Sequence, residues 1–244
     1  MKTEQSARIA RTNYYLGIFL LAFIFALELV FFQTISLEKF IVEKLFASFL
    51  LYSSALLKLE TIEKHPIKKS LSHIKQSRNY IYAVIGLFLL STIIGVVFNQ
   101  QLSFLDETLR ELLEKTINLS PIELISFILL NNSLASILGV VSGIILGIFP
   151  ITSSISNGVV LGYVLSKVGI LEFWRLLPHG IFELPAVFIS FGLGIKLGSF
   201  IFAKNKIKTL KQNLGLSIIA IVYIIIPLLI IAAIIEGALI FLLP

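Results

Sequence analysis

The sequence predicts an all-α polytopic membrane bundle of about seven helices, with a broken or re-entrant segment near 176–186. Three observations carry that expectation. Of 244 residues, 57% are hydrophobic and only 14% are charged, against about 45–50% and about 25% in a soluble domain. The mean hydropathy is +0.97, more apolar surface than a water-soluble core of this length can hide. The apolar residues also fall into runs long enough to cross a bilayer. A soluble enzyme is thereby excluded. The chain has no cysteine, which removes disulfides, thiolate chemistry and sulfur metal sites.

The first element is Tyr14–Phe32, 19 residues behind a basic start with Lys2, Arg8 and Arg11. It exceeds a usual signal core and no small-x-small cleavage site closes it, so it reads as a retained span. Ile41–Leu57 contains Glu43 and Lys44. It either spans or lies on the surface as an amphipathic helix. Tyr80–Phe98, Ile122–Ile148, Ile151–Val168, Ile181–Phe202 and Leu214–Ile235 complete the set, with a kink expected at Pro227. Residues 1–120 form the N-terminal helices, 121–202 a core rich in small residues, and 203–244 a basic loop and last span, all within one membrane domain.

Positive charge sets the orientation. With seven spans and the N-terminus inside, 14 of the 20 Lys and Arg residues fall inside or at inner span ends. They are Lys2, Arg8 and Arg11, the six of 58–78, Lys196, and the four of 204–211. Cytoplasmic loops of membrane proteins carry this excess. The expected location is therefore the plasma membrane, with the N-terminus cytoplasmic and the C-terminus outside. A surface-lying Ile41–Leu57 would weaken the bias, which favours the spanning alternative. Leu102–Leu119 is amphipathic. Leu102, Leu105, Leu109, Leu112 and Leu113 recur at helical spacing, with acidic and basic residues opposite. It should lie on the outer surface, resting on lipid, on the bundle or on a partner.

Small residues recur every fourth position in three successive spans. The sets are Asn131, Ala135, Gly139, Gly143 and Gly147; Ser154, Gly158, Gly162 and Ser166; and Ala186, Ser190, Gly194 and Gly198. Lipid gives helices no hydrophobic reason to associate, so close approach through small residues is a main source of cohesion. The three sets predict one tight three-helix core. Asn131, Asn132 and Asn157 lie beside these faces and need partners across helices.

Leu176–Ala186 reads L-L-P-H-G-I-F-E-L-P-A. His179 and Glu183 share a helix face at i, i+4, and Pro178 and Pro185 predict a break. Pro185 lies 19 residues before Lys204, ~28 Å along a helix, which places the pair near the outer interface unless the segment re-enters. Trp174 and Arg175 fit an interfacial anchor. Ionisable residues within membranes are functional candidates. The pair either fixes a break or handles protons. No H-E-x-x-H, G-x-S-x-G or phosphate-binding loop occurs, so catalytic and metal residues, a cofactor and a nucleic-acid partner are not expected.

These motifs carry a resemblance. F-I-L-L-N-N-S-L-A-S (Phe127–Ser136), the ladder Gly139–Gly147, S-N-G-V-V-L-G (Ser156–Gly162), L-P-H-G-I-F-E-L-P-A (Leu177–Ala186) and G-L-G-I-K-L-G (Gly192–Gly198) resemble the stage II sporulation protein M family of integral membrane proteins. The resemblance implies a multi-span protein with no established catalysis. Its sporulation members look like membrane scaffolds that hold cell-wall hydrolases at the septum. By position, Asn131, Asn132, Gly143, Asn157, Gly158, Pro178, His179, Gly180, Glu183, Pro185 and Ala186 match the motifs, with no assigned chemistry. The expected function is thus a membrane scaffold or assembly partner, with the bilayer and protein partners or a second copy as its contacts. The alternatives are a transporter or channel with a path lined by Asn131, Asn157, His179 and Glu183, and a weaker intramembrane hydrolase.

Overall fold

The computed structural model describes residues 65–116, 119–169 and 177–242. The two N-terminal span candidates, Trp174 and Arg175 lie outside them. The described chain is helical throughout. α1 covers Pro66–Gln76, α2 Arg78–Val97, α3 Leu105–Thr116, α4 Pro121–Val141, α5 Ile148–Val168, α6 Leu177–Gly198, α7 Lys206–Ala220 and α8 Ile226–Leu242. Five stretches are long and apolar enough to cross a membrane: α2, α4 with its extension to Ile144, α5, Gly180–Phe202, and Lys206–Leu239. They match the last five spans expected from sequence.

Local chemistry sets the boundaries. α4 opens on a capping box. Ser120 donates N–H and O–H to the Glu123 carboxylate at 2.8 and 2.6 Å, and Pro121 fills a first-turn position that needs no donor. α4 ends in a 3-10 turn, Ser142–Ile144. The chain then reverses through Leu146 and Gly147, both at positive φ. Gly147 takes that conformation without the steric cost a side chain imposes. Because this turn precedes Ile148, the fourth span ends a few residues earlier than its hydropathy suggests.

α6 corrects one expectation. It runs unbroken from Leu177 to Gly198 with Pro185 inside it. Pro185 forfeits one backbone bond to Ile181, and both residues lie on the exposed face of α6. Transmembrane helices tolerate such a proline. At Pro227, where the sequence predicts a kink, the helical run continues. The turn immediately before it, Ile221–Ile225, widens to π geometry, which accommodates a ring that brings no N–H to the Tyr223 carbonyl.

The bundle is built on two parallel helix pairs. In the first, Ser154 donates to the Val84 carbonyl at 3.1 Å, Gly158 abuts Phe88 and Ser91, and Gly162 abuts Thr92. Residue numbers rise together, so α2 and α5 run the same way. In the second, Gly139 packs on the Phe191 ring, Gly143 on the Gly194 backbone and Gly198 on Gly143, so α4 and α6 are also parallel. The single three-helix core expected from the small-residue sets is therefore two interfaces. The face of α5 turns to α2, which lies outside the ladder region. The shared interior holds Val140 of α4, Ala186, Leu193 and Leu197 of α6, and Ala220, Ile225 and Leu229 from the last rod.

Candidate functional site

Small residues determine where polar side chains meet. A Cβ at Gly143 would overlap the Gly194 backbone, and one at Gly194 the Gly139 carbonyl. This close approach draws α4 and α6 together along their length, and α8 packs against both. About two to three turns along the helices from the glycines, three polar side chains from three helices come together. Asn132 of α4 lies beside the Glu183 carboxylate of α6, and Glu183 is close enough to Glu236 on α8 for the two carboxylates to interact through space. Asn132, Glu183 and Glu236 are all half-buried. Ser136, one turn deeper on α4, is fully buried, and its hydroxyl has no hydrogen-bond partner among the described residues.

The other candidates are placed differently. Asn131 is exposed and reaches only the neighbouring Asn132 oxygen, at 3.4 Å. Asn157 is exposed and donates to the Ser153 carbonyl of its own helix, at 2.8 Å. Neither joins Glu183. A spacing of four drifts by about 40° per step on an α-helix, which carries Asn131 and Ala135 out of the interface that Gly139 and Gly143 occupy. His179 lies in the first turn of α6, and its side chain is outside the described ones, as is its expected pairing with Glu183. Of the packing residues, Gly139, Gly143, Gly147, Gly158, Gly162, Gly194 and Gly198 are all buried against another helix. Sequence reasoning missed Glu236 as a member. Its signal was a lone carboxylate in the last span, on the side that antiparallel packing brings to Glu183.

Two further polar ties hold the ends of the bundle. At the end that carries α3, the buried Tyr163 hydroxyl donates to Asp106 at 2.6 Å, and Lys167 bridges the same carboxylate at 3.4 Å. The phenol first, then the ammonium, hold the Asp106 carboxyl below the usual carboxylate range. At the opposite end, His73 of α1 is 1% exposed. Its Nδ1 lies 3.4 Å from Lys196 Nζ and its Nε2 3.3 Å from Ser217 Oγ. An ammonium cannot accept, so Nδ1 accepts and Nε2–H donates to Ser217. Burial, and secondarily Lys196, push the imidazole down to about 4.

Span-length helices, glycine-mediated packing and a carboxylate–amide cluster inside the bundle define a polytopic helical membrane protein. The family model of stage II sporulation protein M matches residues 84–239. The chain belongs to that family. It is similar to an uncharacterized protein of Methanocaldococcus jannaschii, with 29% identity over 204 residues, covering 75% of this chain and 87% of that protein. No solved structure matches.

Proposed function

We propose that the protein is a non-catalytic membrane scaffold that assembles with another membrane or envelope protein, or with a second copy of itself. It would sit in the plasma membrane with the α1 end on the cytoplasmic side. The observation that carries this reading is the outward face of α2. Tyr82, Leu89, Leu90, Ile93 and Val97 are exposed along it, while its opposite face is locked to α5. A rigid pair presenting a long apolar ridge suits lateral association in a bilayer, where shape decides affinity. Family membership supports the same reading.

Photo-crosslinkers placed at Leu89 and Ile93 in native membranes test it. A discrete protein adduct, lost when the ridge is replaced by alanines, is the expected result. Adducts to lipid alone at both positions would reject the scaffold reading. The second reading, transport of protons or cations, is favoured by one observation, the convergence of Glu183, Glu236 and Asn132 between three spans. A flux in proteoliposomes that Glu183→Gln abolishes would select it.

A further inference from the structure

We infer that the α1 end of the bundle is a binding surface for anionic phospholipid headgroups, formed jointly by the outward face of α1 and the first two turns of α7. α1 buries Ser70 and His73, and Ser77 just after it is buried too; α1 packs beside α7, with His73 pinned to Ser217. That contact turns Lys68 and Lys75 outward, and Arg78 follows at the start of α2. Lys204, Lys206, Lys208 and Lys211 are exposed on the neighbouring segment. No Asp or Glu occurs between His65 and Leu105, or between Leu184 and Ile235. Lys69 aside, this end therefore carries seven exposed cations and no carboxylate among the described residues.

Position and apolar companions identify the ligand. The span α2 starts at Arg78, another ends at Phe202 and the last begins at Lys206. Each of these seven cations thus sits within about three turns of a span end, where the headgroups of a bilayer would lie. Interleaved with them, Phe202 is 85% exposed and Ile207 69%, and Ile67 and Leu71 are each 53% exposed. Ammonium groups beside exposed apolar side chains suit a layer where phosphates meet acyl chains. They suit an acidic soluble protein less, since it would leave the apolar residues in water. Clusters of four to eight Lys or Arg next to a span attract anionic lipid, and the attraction is screened by salt. The surface is independent of the α2 ridge, so this inference stands or falls apart from the scaffold reading.

The test is native mass spectrometry of the purified full chain in neutral detergent, titrated with phosphatidylglycerol or phosphatidylcholine. Wild type should retain phosphatidylglycerol in preference, and the preference should fall as salt rises. Joint Lys68→Gln, Lys75→Gln, Lys208→Gln and Lys211→Gln substitution should cut the preference roughly tenfold or more. The same four positions changed to Arg should keep it. Equal retention of the two lipids by wild type would overturn the inference, as would an undiminished preference in the Gln variant. Displacement of phosphatidylglycerol by millimolar inorganic phosphate would also overturn it, since a site for a small soluble anion would then account for the binding.

Discussion

The backbones of Gly143 and Gly194 lie so close that neither position has room for a methyl group. The contact joins α4 to α6 about three turns along α6 from Glu183. Helix packing and polar chemistry are thus parts of one arrangement, because the spacing set by the glycines decides which side chains can reach each other.

Gly143→Ala should lower stability by about 1–3 kcal/mol, the usual range for an overpacked site. Gly86→Ala is the matched control. It lies on a span helix with nothing within 4 Å of the added carbon, and should be neutral or gain up to about 1 kcal/mol from helix propensity. Thermal unfolding in one detergent compares them. Equal midpoints would remove the α4–α6 contact as a source of cohesion.

Tyr163→Phe keeps the buried ring but deletes the donor to Asp106. Hydrogen exchange in residues 105–116 should accelerate while exchange in α2 and α5 stays unchanged. The Asp106 carboxyl is held low, so its tie is present above the ordinary carboxylate range and is lost as pH falls through the lowered value. Wild type should therefore show the same local release only in strong acid. Unaltered exchange in Tyr163→Phe would mean that α3 is held by other contacts.

His73 makes the opposite end acid-sensitive. The imidazole is neutral in the fold down to about pH 4, whereas in an unfolded chain it takes a proton near its model value of 6.5. The unfolded state binds the extra proton between these values. Stability is therefore full above the unfolded value and declines as pH falls towards 4, by an upper limit of about 3 kcal/mol. His73→Leu removes the titrating group and should flatten the profile between pH 6.5 and 4. A variant as acid-sensitive as wild type would assign the effect elsewhere.

Glu183→Gln keeps an acceptor for Asn132 and removes like-charge repulsion with Glu236. It should leave stability level or raise it. Glu183→Ala strands the Asn132 amide and should cost about 1–3 kcal/mol. The ordering Gln above Ala in thermal midpoint checks the cluster. An unchanged midpoint in Glu183→Ala would show that Asn132 finds another partner.

Hydropathy made the last five spans legible, because each is a long apolar run bounded by charged or polar residues. The glycine ladders were legible as faces but not as partners. Spacing identifies which side of α5 is small, yet only the fold shows that α2 receives it. Pro185 misled for a related reason. A proline removes one bond and crowds the carbonyl one turn before it, but a membrane-spanning helix can absorb both by local adjustment and stay continuous, which the sequence spacing alone does not show. Asn131 and Asn132 differ by one position and 100° of rotation, enough to send one amide outward and leave the other beside Glu183. Glu236 lies 53 residues beyond Glu183, too far for local spacing to associate the two.

The parallel pairing of α2 with α5 also imposes an order of events during synthesis. Neighbouring spans leave the ribosome pointing in opposite directions, so no span can dock in parallel on the next one made. Ser154 follows its Val84 acceptor by 70 residues, about 4–14 s at the usual elongation rates. For that interval the groove of α2 that accepts Gly158 and Gly162 waits for α5, its partner in the finished fold. A nascent chain stalled between α4 and α5 would hold that groove open.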